Sequence, residues 1–131
     1  SARKFEQRRK IRAQSGLPEA AILDEGRAFT EFKGSLTEAF VVQELVCAGL
    51  KPYYWSSPDS RAEIDVVTQI GARPTPIEVK ATENLRSKSL GVVARRFELD
   101  RVVRTSLSGY RDEGWMVNVP LWAVGQLGRL L

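Results

Sequence analysis

The fold of this chain is decided between residues 63 and 81, where Glu63-Ile64-Asp65-Val66-Val67 is followed by Pro76-Ile77-Glu78-Val79-Lys80-Ala81. Both stretches set charged side chains at alternate positions among apolar ones, a pattern that is typical of β-strands. Because alternate residues of a strand share a face, Glu78 and Lys80 are expected to project together from the second strand.

A short connection joins the two predicted strands. The sequence Gly71-Ala72-Arg73-Pro74 is typical of a hairpin, so we expect the strands to be neighbours and Asp65 to lie beside Glu78. Two carboxylates and an ammonium on one face form either a salt-bridged surface or a metal-dependent hydrolytic site. In the first case Lys80 neutralises Glu78, and Arg61 neutralises a carboxylate of the first strand. Spacing alone leaves both interpretations open.

The hydrolytic interpretation has a concrete chemistry. Mg²⁺ or Mn²⁺ prefers oxygen ligands, of which Asp65 and Glu78 would supply two and the Val79 carbonyl a third. The metal would lower the pKa of a bound water, and Lys80 would orient that water or stabilise charge in the transition state. A chain without histidine can cleave a phosphodiester in this way.

Composition narrows the class of protein. The 131 residues, 43% hydrophobic, suit one domain with a core. The absence of histidine excludes Ser-His-Asp and Cys-His catalysis, and the single cysteine, Cys47, excludes an internal disulfide. Cys47 is expected to be a buried small side chain in a reducing cytoplasm. No stretch has the length of about 20 apolar residues that a membrane span needs.

The pattern of apolar residues indicates an α/β fold with a mixed sheet flanked by helices. A first helix is expected to end at Lys33-Gly34, and Ser35-Leu36-Thr37-Glu38 matches the capping box of a second one, which Gly49 would end. After these come three strands, a helix, two strands and a terminal helix. The residues expected in the core are Leu36, Phe40, Val41, Leu45, Ala48, Trp115 and Trp122, with the aromatic run 53–55 packing beside them.

The positive charge is concentrated at the start of the chain. Residues 1–14 hold six basic side chains and one acidic one, whereas the remaining residues are nearly neutral. Such an arm could contact phosphates, or it is a solvated linker helix. We expect residues 1–33 to form an N-terminal helical segment and residues 34–131 the main domain.

A family resemblance rests on several linked blocks of sequence. In order they are Gly34-Ser35-Leu36-Thr37-Glu38-Ala39-Phe40, Tyr54-Trp55-Ser56, Ala62-Glu63-Ile64-Asp65, Pro76-Ile77-Glu78-Val79-Lys80 and Lys88-Ser89-Leu90. Together they resemble the DUF4143 family, which is the C-terminal domain of many prokaryotic P-loop ATPases and looks like the PD-(D/E)xK nuclease fold. The resemblance extends roughly from Phe29 to Leu121.

The resemblance implies a restriction-endonuclease-like sheet and a role for four side chains. Glu38 matches the first-helix glutamate of that fold, Asp65 the metal-binding aspartate, and Glu78 with Lys80 the E-x-K pair. The capping box alone would also explain Glu38. An ATPase domain is implied in the parent protein, but this chain has no G-x-x-x-x-G-K-[ST] loop and therefore no ATP site.

Two classes of function follow from the sequence. The first is a metal-dependent nuclease or nuclease-like nucleic-acid binder, in which Arg86 and Lys88 would receive phosphates. The second is a non-catalytic domain that regulates the ATPase or recruits a partner to it. A third and weaker option is nucleic-acid binding through the basic arm alone.

Overall fold

The computed structural model describes residues 27–59, 62–81 and 87–131. A six-stranded mixed sheet, in the order β1-β2-β3-β4-β6-β5, lies between helices. The expected α/β class with a mixed sheet flanked by helices is therefore confirmed, and the elements from β1 onwards follow in the expected order, with one additional short strand, β5, and a 3₁₀ helix at the start of the terminal helical segment. The elements are α1 (Arg27–Cys47), β1 (Tyr53–Ser56), β2 (Glu63–Ile70), β3 (Arg73–Val79), α2 (Lys88–Arg96), β4 (Val102–Ser106), β5 (Arg111–Asp112), β6 (Met116–Pro120), a 3₁₀ helix (Leu121–Gln126) and α3 (Leu127–Leu130).

The sheet combines two kinds of strand pairing. β1, β2 and β3 are successive antiparallel strands, whereas β3, β4 and β6 run parallel to one another. The β3–β4 crossover contains α2, as a parallel connection requires.

Each face of the sheet has its own apolar core. One core joins α1 and the C-terminal helices to the sheet, through Val41, Leu45, Val66, Ile77, Val79, Val103, Val117, Val119, Ala123, Val124 and Leu127. The other joins α2 to the opposite face, through Ile64, Leu90, Val93, Ala94, Val102 and Met116. The two cores show on which face of the sheet each of these strand residues lies. We call the two faces the α1 face and the α2 face.

Helix α1 corrects the expected helix boundary. The helix continues through Lys33 and Gly34, so the predicted end at this dipeptide and the capping box that begins at Ser35 are wrong. A glycine inside a helix costs only about 1 kcal/mol relative to alanine, which the packing of a 21-residue helix can offset. Thr37 donates its hydroxyl hydrogen bond to the Lys33 carbonyl, 2.8 Å away, within the same helix. Helix α1 also includes residues 33 and 34, between which the N-terminal segment was expected to give way to the main domain.

The end of α1 is the one that the sequence predicts. Gly49 has a φ of 80°, the left-handed conformation that glycine adopts at low cost. The amide of Leu50 donates to the Leu45 carbonyl at 2.9 Å, and the amide of Gly49 donates to the Val46 carbonyl at 3.0 Å. This pair of bonds is the Schellman motif, which satisfies carbonyls at the helix end.

Several side chains expected in the core are exposed. On α1 only Val41 and Leu45 of the predicted stripe are fully buried, since the face towards the sheet is narrower than the pattern suggests. Cys47 is also exposed, because it lies in the last turn beyond that face. The other side chains that were expected in or beside the core but are exposed are Leu36, Phe40, Ala48, Tyr53, Tyr54, Trp115 and Trp122. Among the described residues, no helix is both long and apolar enough to cross a membrane.

Candidate functional site at the β2–β3 divergence

The candidate site lies where β2 and β3 separate. Paired residues run from Ile70 and Arg73 at the turn to Val66 and Ile77. Continuing this register by one residue sets Asp65 opposite Glu78, as the sequence predicts. The regular ladder stops before that pair, and β3 continues alongside β4 instead, with Glu78 opposite Arg104.

A β-bulge explains why the ladder stops there. On the other side of β2, Tyr53 pairs with Val67 but Trp55 pairs with Ile64. Two residues of β2, Asp65 and Val66, therefore face one residue of β1. Such a bulge bends the strand and re-aims a side chain, and bulges are frequent beside active sites.

The Asp65 carboxylate occupies the position that the ladder leaves open. Its Oδ2 atom accepts a hydrogen bond from the amide of Val79 at 3.0 Å, and the side chain is buried. The amide of Lys80, the next residue, donates to the Thr105 carbonyl of β4 at 2.9 Å. Since backbone groups of successive strand residues point to opposite neighbours, the Val79 carbonyl points towards β2, on the same side as Asp65.

Glu78 and Lys80 share the α2 face of the sheet. Ile77 and Val79 both belong to the core on the α1 face, so Glu78 between them projects to the other side. Lys80 Nζ lies 3.4 Å from Glu78 Oε1, which confirms that the two side chains project together. Glu78 Oε2 is buried and has no hydrogen-bond partner among the described residues.

Glu38 lies on a different element and a different face. It precedes the buried Val41 by three residues and Leu45 by seven, so it belongs to the sheet-facing side of α1. The side chain is half-buried, and its Oε2 atom is buried. Because α1 packs against the face opposite to Glu78, the two glutamates approach the sheet from opposite sides. The described residues contain no group of three or more His, Cys, Asp or Glu side chains that could hold a metal ion.

The candidate donor set at the end of the β2–β3 ladder is therefore two carboxylates and a carbonyl. Asp65, Glu78 and the Val79 carbonyl are all oxygen donors, which suits a hard cation such as Mg²⁺ or Mn²⁺ with water in its remaining positions. The buried Glu78 Oε2, which has no partner within the described ranges, fits this donor set, because a buried carboxylate oxygen is normally hydrogen-bonded or bound to a cation.

A buried polar cluster next to Glu78 was missed by sequence reasoning. Arg104 is only 3% exposed, and its Nε donates to Asn118 Oδ1 at 3.0 Å. The Ser106 hydroxyl donates to the same oxygen at 2.8 Å, and one Arg104 terminal nitrogen lies 3.7 Å from Glu113 Oε1. We call Arg104, Ser106, Asn118 and Glu113 the Arg104 cluster. Its only sequence signal is an arginine and an asparagine inside two apolar strands.

The predicted phosphate-binding residues are only partly described. Lys88 is exposed at the first position of α2. Ser87, immediately before it, accepts a hydrogen bond from Arg104 Nη1 at 3.4 Å, so this end of α2 lies close to the Arg104 cluster. Arg61, Arg86 and the basic arm at residues 1–14 lie outside the described residues.

Together these features define an α/β domain with a mixed sheet, in which Asp65, Glu78 and Lys80 lie at the end of the β2–β3 ladder. The chain belongs to the DUF4143 family, whose model, described as a domain of unknown function, matches residues 33–124. No curated protein and no solved structure matches the chain.

Proposed function

We propose that this chain is a metal-dependent, nuclease-like domain of the PD-(D/E)xK type that acts on or binds nucleic acid, and that it forms the C-terminal part of a larger ATPase. The observation that supports this most is the buried Glu78 oxygen at the end of the β2–β3 ladder, beside Lys80, for which the described part of the chain offers no hydrogen-bond partner. A buried carboxylate of this kind is costly for the fold, and such cost is concentrated at functional sites.

Each residue of the site has a role in this proposal. Asp65 and Glu78 would hold Mg²⁺ or Mn²⁺ together with the Val79 carbonyl, whereas Glu38, which approaches the sheet from the opposite face, would not bind the same ion. When bound, the metal would activate water and offset phosphate charge. The Val79 amide keeps the Asp65 carboxylate oriented, and Lys80 would hold the attacking water or stabilise the charge that develops on the phosphate.

Cleavage of labelled single- and double-stranded DNA and RNA in Mn²⁺ or Mg²⁺ tests the catalytic part. Glu78→Gln and Lys80→Met are each expected to lower the rate about a hundredfold or more, because the first removes a charged metal ligand and the second removes the cation that acts on the water or the reacting phosphate. Glu98→Gln is the matched control, since Glu98 is exposed just beyond α2. Cleavage that persists in both site variants would refute the assignment.

Metal binding is tested separately from activity. Titration of Mn²⁺, followed by the electron paramagnetic resonance of the free ion, is expected to show a site that Asp65→Ala weakens at least tenfold. A Mn²⁺ affinity equal in wild type and Asp65→Ala would place the metal elsewhere.

A second candidate is a non-catalytic domain that regulates the ATPase or recruits a partner. The ion pair between Lys80 and Glu78 favours it, because a lysine that neutralises the glutamate gives the pair a structural role without metal. This candidate predicts that Glu78→Gln leaves the ATPase activity of the parent protein unchanged, whereas changes at an exposed surface alter it. Nucleic-acid cleavage that Glu78→Gln abolishes would rule it out.

A further inference from the structure

A pocket lies beside α2, away from the carboxylates. It has a volume of about 370 Å³ and is lined by Gly91, Ala94, Arg95, Leu99 and Trp115. This size falls within the usual range of about 300–1,000 Å³ for small-molecule sites. None of its lining residues belongs to the Glu78 site or the Arg104 cluster.

The lining combines a flat aromatic surface with one cation. Trp115 is 42% exposed although it directly precedes the buried strand β6, so part of its indole remains accessible. The Arg95 guanidinium folds back along the helix, and a Cβ built on Gly91 would lie 3.4 Å from its Nη1. The absence of a side chain at Gly91 therefore leaves room beside the guanidinium. An indole and a guanidinium are the groups on which nucleobases stack.

Charge and position connect this pocket with the carboxylate site. The sequence of α2 contains Lys88, Arg95 and Arg96 and no acidic residue. The helix packs on the sheet face to which Glu78 projects. From Lys88 to Arg95 the helix rises about 10 Å, at about 1.5 Å per residue. A single strand of nucleic acid that ran along α2 from the carboxylates would meet positively charged side chains at both ends of the helix.

We infer that this pocket binds an unstacked base of a single-stranded nucleic acid, with Trp115 as the stacking surface and Arg95 as the partner of the base or its phosphate. The inference rests on the proposed function, since it names the form of substrate that the carboxylate site would receive. A base within a duplex is stacked on both sides and cannot enter the pocket, so single strands are favoured over duplexes.

Binding is measured with the full 131-residue chain in EDTA, where no metal-dependent cleavage occurs. The probe is a fluorescein-labelled thymidine 12-mer, and its fluorescence anisotropy reports the affinity. Trp115→Ala and Arg95→Gln are each expected to weaken binding about tenfold, the effect typical of one stacked base. Gly91→Leu, which fills the pocket from the helix side, should weaken binding to a similar degree.

Matched control variants distinguish binding in the pocket from a general effect of removing any tryptophan or any positive charge. Trp122 is 82% exposed at the start of the 3₁₀ helix, and Arg96 lies over the rings of Trp55 and Phe97 outside the pocket. Trp122→Ala and Arg96→Gln should therefore change the affinity less than threefold. Trp115→Phe keeps a stacking surface and is expected to stay within about threefold of wild type, while the quenching of tryptophan fluorescence by the oligonucleotide is lost.

The outcomes distinguish this inference from the proposed function. Equal affinity of wild type, Trp115→Ala and Gly91→Leu for the 12-mer would overturn the pocket, as would equally tight binding of a 12-base-pair duplex, even if Glu78-dependent cleavage were observed. Pocket-dependent binding without metal-dependent cleavage would support the pocket and refute the nuclease. Circular dichroism melting of each variant ensures that a loss of binding reflects a folded protein.

Discussion

Two buried polar groups of residues lie side by side on the α2 face, and they differ in how well their polar atoms are satisfied. In the Arg104 cluster, Arg104, Ser106 and Asn118 all make hydrogen bonds, and the Asn118 amide also donates to the Gly109 carbonyl at 2.8 Å. In the neighbouring site, Glu78 Oε1 lies 3.4 Å from Lys80 Nζ, and its buried Oε2 has no hydrogen-bond partner among the described residues. The strand register sets Glu78 opposite Arg104, so the contrast arises between adjacent residues.

This difference in hydrogen bonding distinguishes polar residues that stabilise the fold from those that are expected to serve its function. A satisfied network offsets the desolvation of its members and fixes the packing around them. A buried carboxylate with incomplete partners costs free energy, and a fold tolerates it where another benefit exists. The comparison therefore predicts that the Arg104 cluster determines stability, whereas Glu78 determines activity.

The largest expected effect is that of Asn118→Ala on stability. The change removes the oxygen that accepts from both Arg104 and Ser106, and it leaves a buried guanidinium nitrogen without its acceptor. We expect the free energy of unfolding to fall by about 3 kcal/mol, measured by urea denaturation. Arg129→Ala is the control, because the loss of that exposed side chain, remote from the cluster in sequence, should cost less than about 0.5 kcal/mol. If Asn118→Ala were as stable as the control, the cluster would not have the structural role assigned to it.

A smaller effect is expected for Glu78→Gln in the same assay. Neutralising the side chain removes the cost of a buried charge but also breaks the contact with the partly exposed Lys80. These terms nearly cancel, so the free energy of unfolding should change by less than about 1 kcal/mol, in either direction. A loss as large as that of Asn118→Ala would mean that Glu78 is part of the structural network, and the contrast between the two groups would disappear.

The smallest expected effect is on the stability of the fold at low pH, and it involves Asp112, which precedes Glu113 of the Arg104 cluster. The amide of Gly114, which donates to the Asp112 carboxylate at 2.8 Å, and the guanidinium of Arg101 at 2.7 Å hold the pKa of Asp112 below its ordinary value of 3.8. Because the folded-state pKa is the lower one, Asp112 contributes stability above pH 3.8 and loses that contribution as the pH falls towards the folded-state pKa.

Asp112→Asn should therefore lower stability slightly at pH 7 and make the decline below pH 4 shallower than in wild type. Thermal melts between pH 2.5 and 7 measure both curves. Parallel curves for the two proteins would show that Asp112 does not contribute to the acid limb.

The candidate site could be located from sequence because its signal is local. Glu78 and Lys80 are two residues apart, so strand periodicity alone sets them on one face, and the Gly71 turn brings β2 alongside. The bulge at Asp65 could not be foreseen, because it depends on how β1 and β2 pair. For that reason the hydrogen bond from the Val79 amide to Asp65 was not expected.

The features that sequence reasoning missed depend on distant contacts or on small energies. Arg104 and Asn118 are 14 residues apart on different strands, and nothing in either strand indicates that one pairs with the other. The helix end expected at Gly34 is wrong because a cost of about 1 kcal/mol for one glycine does not end a helix that packs along its length. The exposure of Trp122 follows from a 3₁₀ helix where an α-helix was expected, which changes the face that each residue takes.

The outer edge of the sheet has a consequence for how this domain behaves among other copies of itself. β5 consists of Arg111 and Asp112 alone, and it covers the free side of β6 with charged residues. An exposed strand edge can recruit a second chain and start fibrous assembly, and short charged edge strands prevent this. β6 is buried and apolar apart from Asn118, so the two residues of β5 protect this edge of the sheet against pairing with a second chain.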